Sequence, residues 1–242
     1  MTESLTVYFE VVFNCAYLVA LYGLVAAMIR NRSRVQAGEH GTAFWIVLAF
    51  ALLLLGDTGH VGFRVVAYAM SGLGTVVTLF GKRVVLIKLG SIATAWTFTA
   101  FYVCMLMAWR AHFKKALGAA GWLLVCAAFV RSLLMLHPGN GWGSPGDPEP
   151  WYTLRNIPLI VMQAGLAFLI LRDAAQQRDK AFILVGVMII ISMACYVPVV
   201  ALVQRFPAAG MLMIPKTLAY MGIAVIAYRD MFMRQAKVHA VL

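Results

Sequence analysis

Residues 181–204, AFILVGVMIIISMACYVPVVALVQ, contain no charged side chain. About 20 apolar residues in a helix suffice to cross a hydrocarbon core of about 30 Å. Similar runs recur along the 242 residues, of which 63% are hydrophobic and 12% charged, with a mean hydropathy of +0.86. Soluble domains contain about 25% charged residues. The sequence therefore excludes a water-soluble protein and predicts an all-α membrane protein.

Hydropathy divides the chain into seven predicted transmembrane helices. They cover residues 5–29, 42–69, 84–109, 118–136, 155–172, 181–204 and 208–229. The spans leave only short connections, so we expect one polytopic domain over residues 1–242, in contact with membrane lipid. The expected location is the plasma (inner) membrane.

The distribution of Lys and Arg predicts the orientation of these helices. The first, third and fifth connections and the C-terminal tail carry twelve cations, whereas the connections on the other side carry three. Cytoplasmic connections concentrate such residues, which predicts an outside N-terminus and a cytoplasmic C-terminus. The same distribution explains the net charge of +11 without nucleic acid as a partner.

The connection at residues 137–153, HPGNGWGSPGDPEPWYT, is rich in proline and glycine. This composition predicts an irregular outer loop, since proline and glycine interrupt helices. Its aromatic residues, Trp142, Trp151 and Tyr152, are expected to anchor the loop at the membrane interface. A lid over an outer cavity is the alternative interpretation.

Five cations fall within the predicted spans, at Arg64, Lys88, Arg131, Arg155 and Lys216. Only Glu10 and Asp57 oppose them there. A charge at membrane depth costs about 2.5–3.5 kcal/mol, so it is expected to face the bundle interior or to reach the interface. We expect Lys88 and Arg155, near the outer helix ends, to extend to lipid headgroups. The other three cations lie deeper.

Polar side chains recur at helical spacing on six of the seven helices. The stripes are Glu10, Asn14 and Tyr17; Asp57, His60, Arg64 and Tyr68; Lys88, Ser91, Thr99 and Tyr102; Asn156 and Gln163; Ser192 and Tyr196; and Lys216 and Tyr220. Polar contacts between helices could produce any single stripe. Their number favours a shared polar cavity.

The intramembrane cations all fall in the predicted outer half, which predicts an electropositive cavity open to the outside. Its natural ligand is an anion, either a small molecule or a lipid headgroup, because Arg binds carboxylate and phosphate oxygens with two parallel hydrogen bonds. The candidate ligand-binding residues are Arg64, Lys88, Arg131, Arg155, Asn156, Tyr196 and Lys216.

Asp57, His60 and Lys216 form a second candidate group. His60 lies one helical turn from Asp57, so the two could pass a proton through the bundle, although a histidine that only packs is the alternative. Asp57 and Lys216 could also form an ion pair. The four cysteines are far apart and match no metal-ligand spacing, and no catalytic motif is present.

These observations favour a transporter or translocator of an anionic or amphipathic small molecule. A sensor or receptor that signals through a membrane-protein partner is the main alternative, and a lipid-modifying enzyme that uses Asp57, His60 and Arg64 is another. The sequence leaves the oligomeric state open.

A lysine in the seventh of seven helices resembles the outline of the retinal-binding rhodopsins. The resemblance implies a retinal Schiff base on Lys216 with Asp57 as its counter-ion. However, the third helix has no acidic residue and the sixth has no tryptophan. The resemblance covers topology and one residue, so we assign no family and leave the cofactor undetermined.

Overall fold

Seven long helices dominate the computed structural model, which describes residues 3–79, 81–144 and 146–233, with side chains from Val11 onward except that of Lys82. The helices are α1 (Glu3–Arg30), α2 (His40–Met70), α3 (Leu86–Phe113), α4 (Gly118–Leu136), α5 (Trp151–Gln177), α6 (Lys180–Leu202) and α7 (Met213–Ala227). Each lies in a segment long and apolar enough to cross a membrane. The predicted bundle of seven helices that are long and apolar enough to cross a membrane is confirmed.

The helices pack in chain order around a closed bundle. Each helix contacts the next, α1 contacts α7, and α3 also reaches α5. Large apolar side chains such as Phe50, Phe101 and Leu166 are fully buried in the centre, whereas Leu55 and Phe129 are exposed on the surface. Exposed apolar surface of this kind suits a lipid environment, because lipid tails are as apolar as these side chains and contact with them costs no hydrophobic free energy.

The connection between α2 and α3 forms a β-hairpin, which we did not predict. Strands β1 (Val76–Leu79) and β2 (Lys82–Val85) pair antiparallel. Gly81 in the turn has φ +75°, a conformation that glycine adopts without steric cost. The run of mostly β-branched and aromatic residues before this glycine, TVVTLF at 75–80, is the sequence signal for the hairpin.

Two predicted helix boundaries need correction. Helix α5 runs from Trp151 to Gln177 rather than over 155–172, which places Tyr152 in its first turn and Asp173 in its last turns. The predicted seventh helix begins as a 3₁₀ turn, Pro207–Leu212, and α7 is followed by a π-helical turn, Tyr228–Met233. The charged and interfacial residues that flank the apolar run of α5 suggested a shorter helix. Such residues can continue a helix beyond the hydrocarbon core, and in α5 they do.

Helices α2 and α3 make the closest approach in the bundle. A Cβ atom added to Gly90 would lie 2.7 Å from the Cα atom of His60 and 3.1 Å from the carbonyl oxygen of Gly59. One turn further along, a Cβ atom on Gly56 would overlap the Thr97 hydroxyl. Glycine at these positions lets the backbones of α2 and α3 touch.

The predicted orientation can be tested by single-cysteine labelling in whole cells. Gln36→Cys and Ser144→Cys both create exposed sites, one at each end of the bundle. We expect a membrane-impermeant maleimide to label position 144 from outside and position 36 only after permeabilisation. The reverse pattern would contradict the orientation derived from the cation distribution, and labelling of both positions from one side would contradict seven crossings.

Candidate functional site

Buried polar side chains from five helices converge in the half of the bundle that contains the N-termini of α3, α5 and α7. We call this half the outer end, after the predicted orientation. The convergent residues, called the interior cluster, are Tyr102, Arg131, Asn156, Gln163, Tyr196, Lys216 and Tyr220. All of them lie less than 10% exposed. Most belong to the stripes predicted from helical spacing, and Arg131 joins them from α4.

The neutral members of the interior cluster bind one another. Gln163 Nε2 donates hydrogen bonds to the hydroxyls of Tyr102, at 3.0 Å, and Tyr220, at 3.2 Å. These two hydroxyls also bond to each other. The Tyr196 hydroxyl donates to Asn156 Oδ1 at 2.8 Å. The network links α3, α5, α6 and α7 at mid-bundle and surrounds the two cations with fixed dipoles.

Arg131 is 3% exposed, and its Nε and one terminal nitrogen are buried without a hydrogen-bond partner in the described part of the chain. Its charge interacts electrostatically with Tyr196, Arg155, Tyr102 and Tyr220, none of which carries a compensating carboxylate. An uncompensated buried charge costs several kcal/mol. The guanidinium therefore has unused capacity to bind an anion.

Lys216 lies among aromatic rings. Its Nζ is 4.3 Å from the ring centroid of Tyr196, 4.6 Å from that of Phe98 and 6.0 Å from that of Tyr220. Ring faces attract a desolvated ammonium by roughly 2 kcal/mol. Lys216 also interacts electrostatically with Asp57 and Arg131.

Asp57 and Lys216, which the sequence offered as a possible ion pair, have different contacts in the structure. Asp57 Oδ2 accepts a hydrogen bond of 2.9 Å from the Tyr17 hydroxyl on α1, whereas the Lys216 ammonium points to the aromatic rings. The two charges sense each other electrostatically but are not in ion-pair contact. The contact is missing because α1, rather than α7, supplies the partner of Asp57. The structure thus does not pair Asp57 with Lys216 as a counter-ion.

The predicted proton pair of Asp57 and His60 is not hydrogen-bonded. The His60 Nδ1 atom is buried and has no hydrogen-bond partner among the described side chains. Both residues lie on the same face of α2, as predicted, but their spacing along the helix leaves them separate. A proton path through this pair remains a prediction.

Arg64 is not brought to the interior cluster. It lines a cleft of about 210 Å³ between α1 and α2, together with Asn14 and Tyr68. The side chain of Glu10, the other acidic residue predicted near these cations, lies outside the described residues. The structure thus separates Arg64 from Arg131 and Lys216.

Lys88 and Arg155 do not extend to the interface as predicted. They are only 3% and 7% exposed. Both bind Asp147 Oδ1, Lys88 Nζ at 2.9 Å and Arg155 Nη2 at 2.7 Å. Trp142, predicted as an interfacial anchor, instead lies with its ring 4.5 Å from the Arg155 guanidinium carbon. Asp147 comes from the proline-rich connection, so no helical spacing could reveal it.

These contacts change the acidity of Asp147. Burial by itself raises the pKa of this carboxyl, but the hydrogen bonds and charges of Lys88 and Arg155 outweigh burial and hold the pKa below its ordinary value. Asp147 is therefore ionised at neutral pH, and one negative charge stands between two buried cations.

At the opposite end, His112 joins three elements. Its ring nitrogens lie 3.0 Å from Glu39 Oε2, just before α2, and 2.8 Å from Asp179 Oδ2, just before α6. The ring stacks on Phe182 at 3.9 Å between centroids. The hydrogen bond from His112 lowers the pKa of Asp179. Glu39 and Asp179 lie in the connections before α2 and α6. Only the cations of these connections were used to predict the topology, so this network was not predicted.

A second inner contact surrounds Asp173, which is fully buried. The Trp109 indole donates to Asp173 Oδ2 at 3.0 Å, and Arg172 Nε donates to Oδ1 at 2.9 Å. Asp173 and His112 thus tie the inner ends of α3, α5 and α6 together. The interior cluster lies between these inner contacts and the Asp147 contact at the outer end.

Comparison with known protein families, curated proteins and solved structures finds no match for this chain. The class follows from the fold itself: a helical bundle with seven segments suited to crossing a membrane. Within that class, the distinguishing feature is a pair of buried cations without a carboxylate partner among the described residues.

Proposed function

We propose that the protein transports an anionic or amphipathic small molecule across the plasma (inner) membrane and binds it at the interior cluster. The observation that carries the proposal is the buried guanidinium of Arg131, two nitrogens of which have no hydrogen-bond partner among the described residues. Lys216 supplies a second positive charge to the interior cluster, where its ammonium lies against the ring of Tyr196. A carboxylate or phosphate bound there would satisfy both cations, and Arg would provide parallel hydrogen bonds.

The aromatic surroundings favour a ligand with an apolar body. Phe98 and Tyr196 present ring faces at the Lys216 ammonium, and both side chains are buried. In small-molecule sites, aromatic and apolar side chains enclose the apolar part of a ligand, while a few polar groups orient it. A small monocarboxylate with a hydrocarbon or aromatic portion fits this combination best.

The position of the cluster supports transport over reception. Polar contacts that join different helices lie on either side of it, at Asp147 in the outer half and at His112 in the inner half. A carrier requires a central site that can be closed at each end in turn. Hydrogen bonds and ion pairs between separate elements provide such closures, because they can form and break without rebuilding the helices.

Binding to purified protein in lipid nanodiscs tests the proposal. Calorimetric titration with benzoate, acetate and inorganic phosphate should show binding of at least one anion, and Arg131→Gln should weaken it at least tenfold, or about 1.4 kcal/mol. Arg205→Gln, which removes an exposed cation, is the matched control and should leave the affinity unchanged. Failure of all three anions to bind wild-type protein would contradict the proposal.

Uptake into proteoliposomes separates transport from reception. We expect the anion that binds to accumulate inside vesicles containing wild-type protein, and Arg131→Gln to abolish the flux. Binding without flux would instead favour a receptor that signals through a membrane partner.

A further inference from the structure

The connection between α4 and α5 closes the outer end of the bundle through one carboxylate. Asp147 Oδ1 accepts from both Lys88 Nζ and Arg155 Nη2. Lys88 Nζ also donates to the Gly146 carbonyl at 3.0 Å. Gln204, before α7, donates to the Asp147 carbonyl at 3.0 Å. These contacts attach residues 146–147 of the connection to α3, α5 and the segment before α7.

Lys88 and Arg155 form a built site for one carboxylate group. Both cations are buried, whereas the Asp147 side chain remains 36% exposed. Arg155 is held in place independently of Asp147, since Nη1 donates to Asn140 Oδ1 at 3.2 Å and its guanidinium lies against the rings of Trp142 and Tyr152. The carboxylate is thus the more accessible partner of a fixed cationic pair.

The pair adjoins the interior cluster. Arg155 interacts electrostatically with Arg131. A chain of hydrogen bonds runs inward from the Tyr152 carbonyl, which accepts from Asn156 at 2.8 Å, to Tyr196, whose hydroxyl bonds to Asn156. The Tyr196 ring in turn contacts the Lys216 ammonium. These contacts connect the pair of Lys88 and Arg155 to Lys216 in the interior cluster through Asn156 and Tyr196.

We propose that Lys88 and Arg155 form an outer anion site that Asp147 fills in the closed state, and that an incoming carboxylate or phosphate displaces Asp147 and so releases the connection. This inference rests on the proposed function, since it supplies the entrance to the interior cluster. Asp147 acts as a tethered competitor, whose effective concentration at the site is in the millimolar range for a short flexible link. A free anion competes with it at comparable concentrations.

The release of the connection can be measured at position 144, which is exposed and lies near Asp147 in the chain. The full-length protein carries Ser144→Cys with its four native cysteines replaced by alanine, and is reconstituted in lipid vesicles. The rate of labelling by an impermeant maleimide is followed with benzoate or inorganic phosphate at constant ionic strength. We expect the binding anion to accelerate labelling at least threefold, with a midpoint in the millimolar range.

Asp147→Asn removes the competitor. Without anion, the cysteine at position 144 should then be labelled at least fivefold faster than in the protein with Asp147, and added anion should accelerate labelling little further. Glu149→Gln is the matched control, because it removes an exposed carboxylate from the same connection and should behave as wild type. Asp147→Asn leaves two buried cations uncompensated, so the double variant Asp147→Asn with Lys88→Met tests the same release at restored charge balance. It should also label rapidly.

Three results would overturn the inference. If an anion binds in an Arg131-dependent manner but does not change the labelling rate at position 144 when Asp147 is present, the proposed function stands and the contacts of Asp147 are permanent structural ones. If both Asp147 variants label at the wild-type rate, the carboxylate does not hold the connection. If no anion binds wild-type protein, the proposed function fails as well, and that failure is recognised by the binding titration alone.

Discussion

Replacing Arg131 with methionine is expected to stabilise the ligand-free protein by about 1–4 kcal/mol and at the same time to abolish anion binding. Arg131 is buried with two nitrogens unpartnered among the described residues, so the folded state carries the cost of an unsatisfied charge. Methionine has a similar length and carries no charge. Functional sites are commonly less stable than apolar replacements at the same position.

Equilibrium unfolding in mixed micelles measures this effect, with the melting temperature as a second measure. Arg205→Met, an exposed position, is the control, and we expect it to change the free energy of unfolding by less than about 0.5 kcal/mol. A loss of several kcal/mol in Arg131→Met would mean that the guanidinium is a structural partner. That result would contradict the conclusion that Arg131 is an unsatisfied cation, on which the proposed function depends.

The second large effect is expected at Gly90, where Ala should destabilise the protein by about 2–3 kcal/mol. The added methyl group would lie 2.7 Å from the Cα atom of His60 and 3.3 Å from its nitrogen. These are backbone atoms of α2, so no side chain can rotate away to make space. Helices α2 and α3 must therefore separate, which also moves Asp57 and His60.

Gly62→Ala is the matched control for Gly90→Ala, because Gly62 lies inside the neighbouring helix α2 and nothing is within 4 Å of the added Cβ atom. It should be neutral or stabilising by up to about 1 kcal/mol, since alanine favours helix over glycine. The free energy of unfolding of both variants is measured in mixed micelles. Equal losses would contradict the conclusion that the contact between α2 and α3 leaves no space for a methyl group at position 90.

Helical periodicity predicted much of the candidate site. The stripes on α5, α6 and α7 place Gln163, Tyr196 and Tyr220 toward one interior, and their side chains do meet there. Spacing along a helix decides which residues share a face, so convergence of several polar faces is a local property. The same spacing could not reveal that α2 turns Arg64 toward α1, because that depends on how the helices are arranged around the bundle.

The pairing of charges was the least predictable feature. Lys88 meets Asp147 across 59 positions of the chain, and His112 meets Asp179 across 67. Both acidic residues lie in connections between helices, where no periodicity constrains their direction. The expectation that Lys88 and Arg155 reach lipid headgroups was wrong for this reason, since a loop residue compensates them first.

By itself, the sequence determined that the chain forms seven apolar helices, because the length of each run matches the hydrocarbon thickness and the polar residues interrupt the runs. It also determined that several helices carry an inward polar face. Only the tertiary structure decided which cations are compensated and which are not. Arg155 and Lys88 have Asp147, whereas Arg131 and Lys216 have no carboxylate partner among the described residues. The physical reason is that hydrophobicity acts locally along the chain, while charge compensation requires atoms from distant segments within about 3 Å of each other.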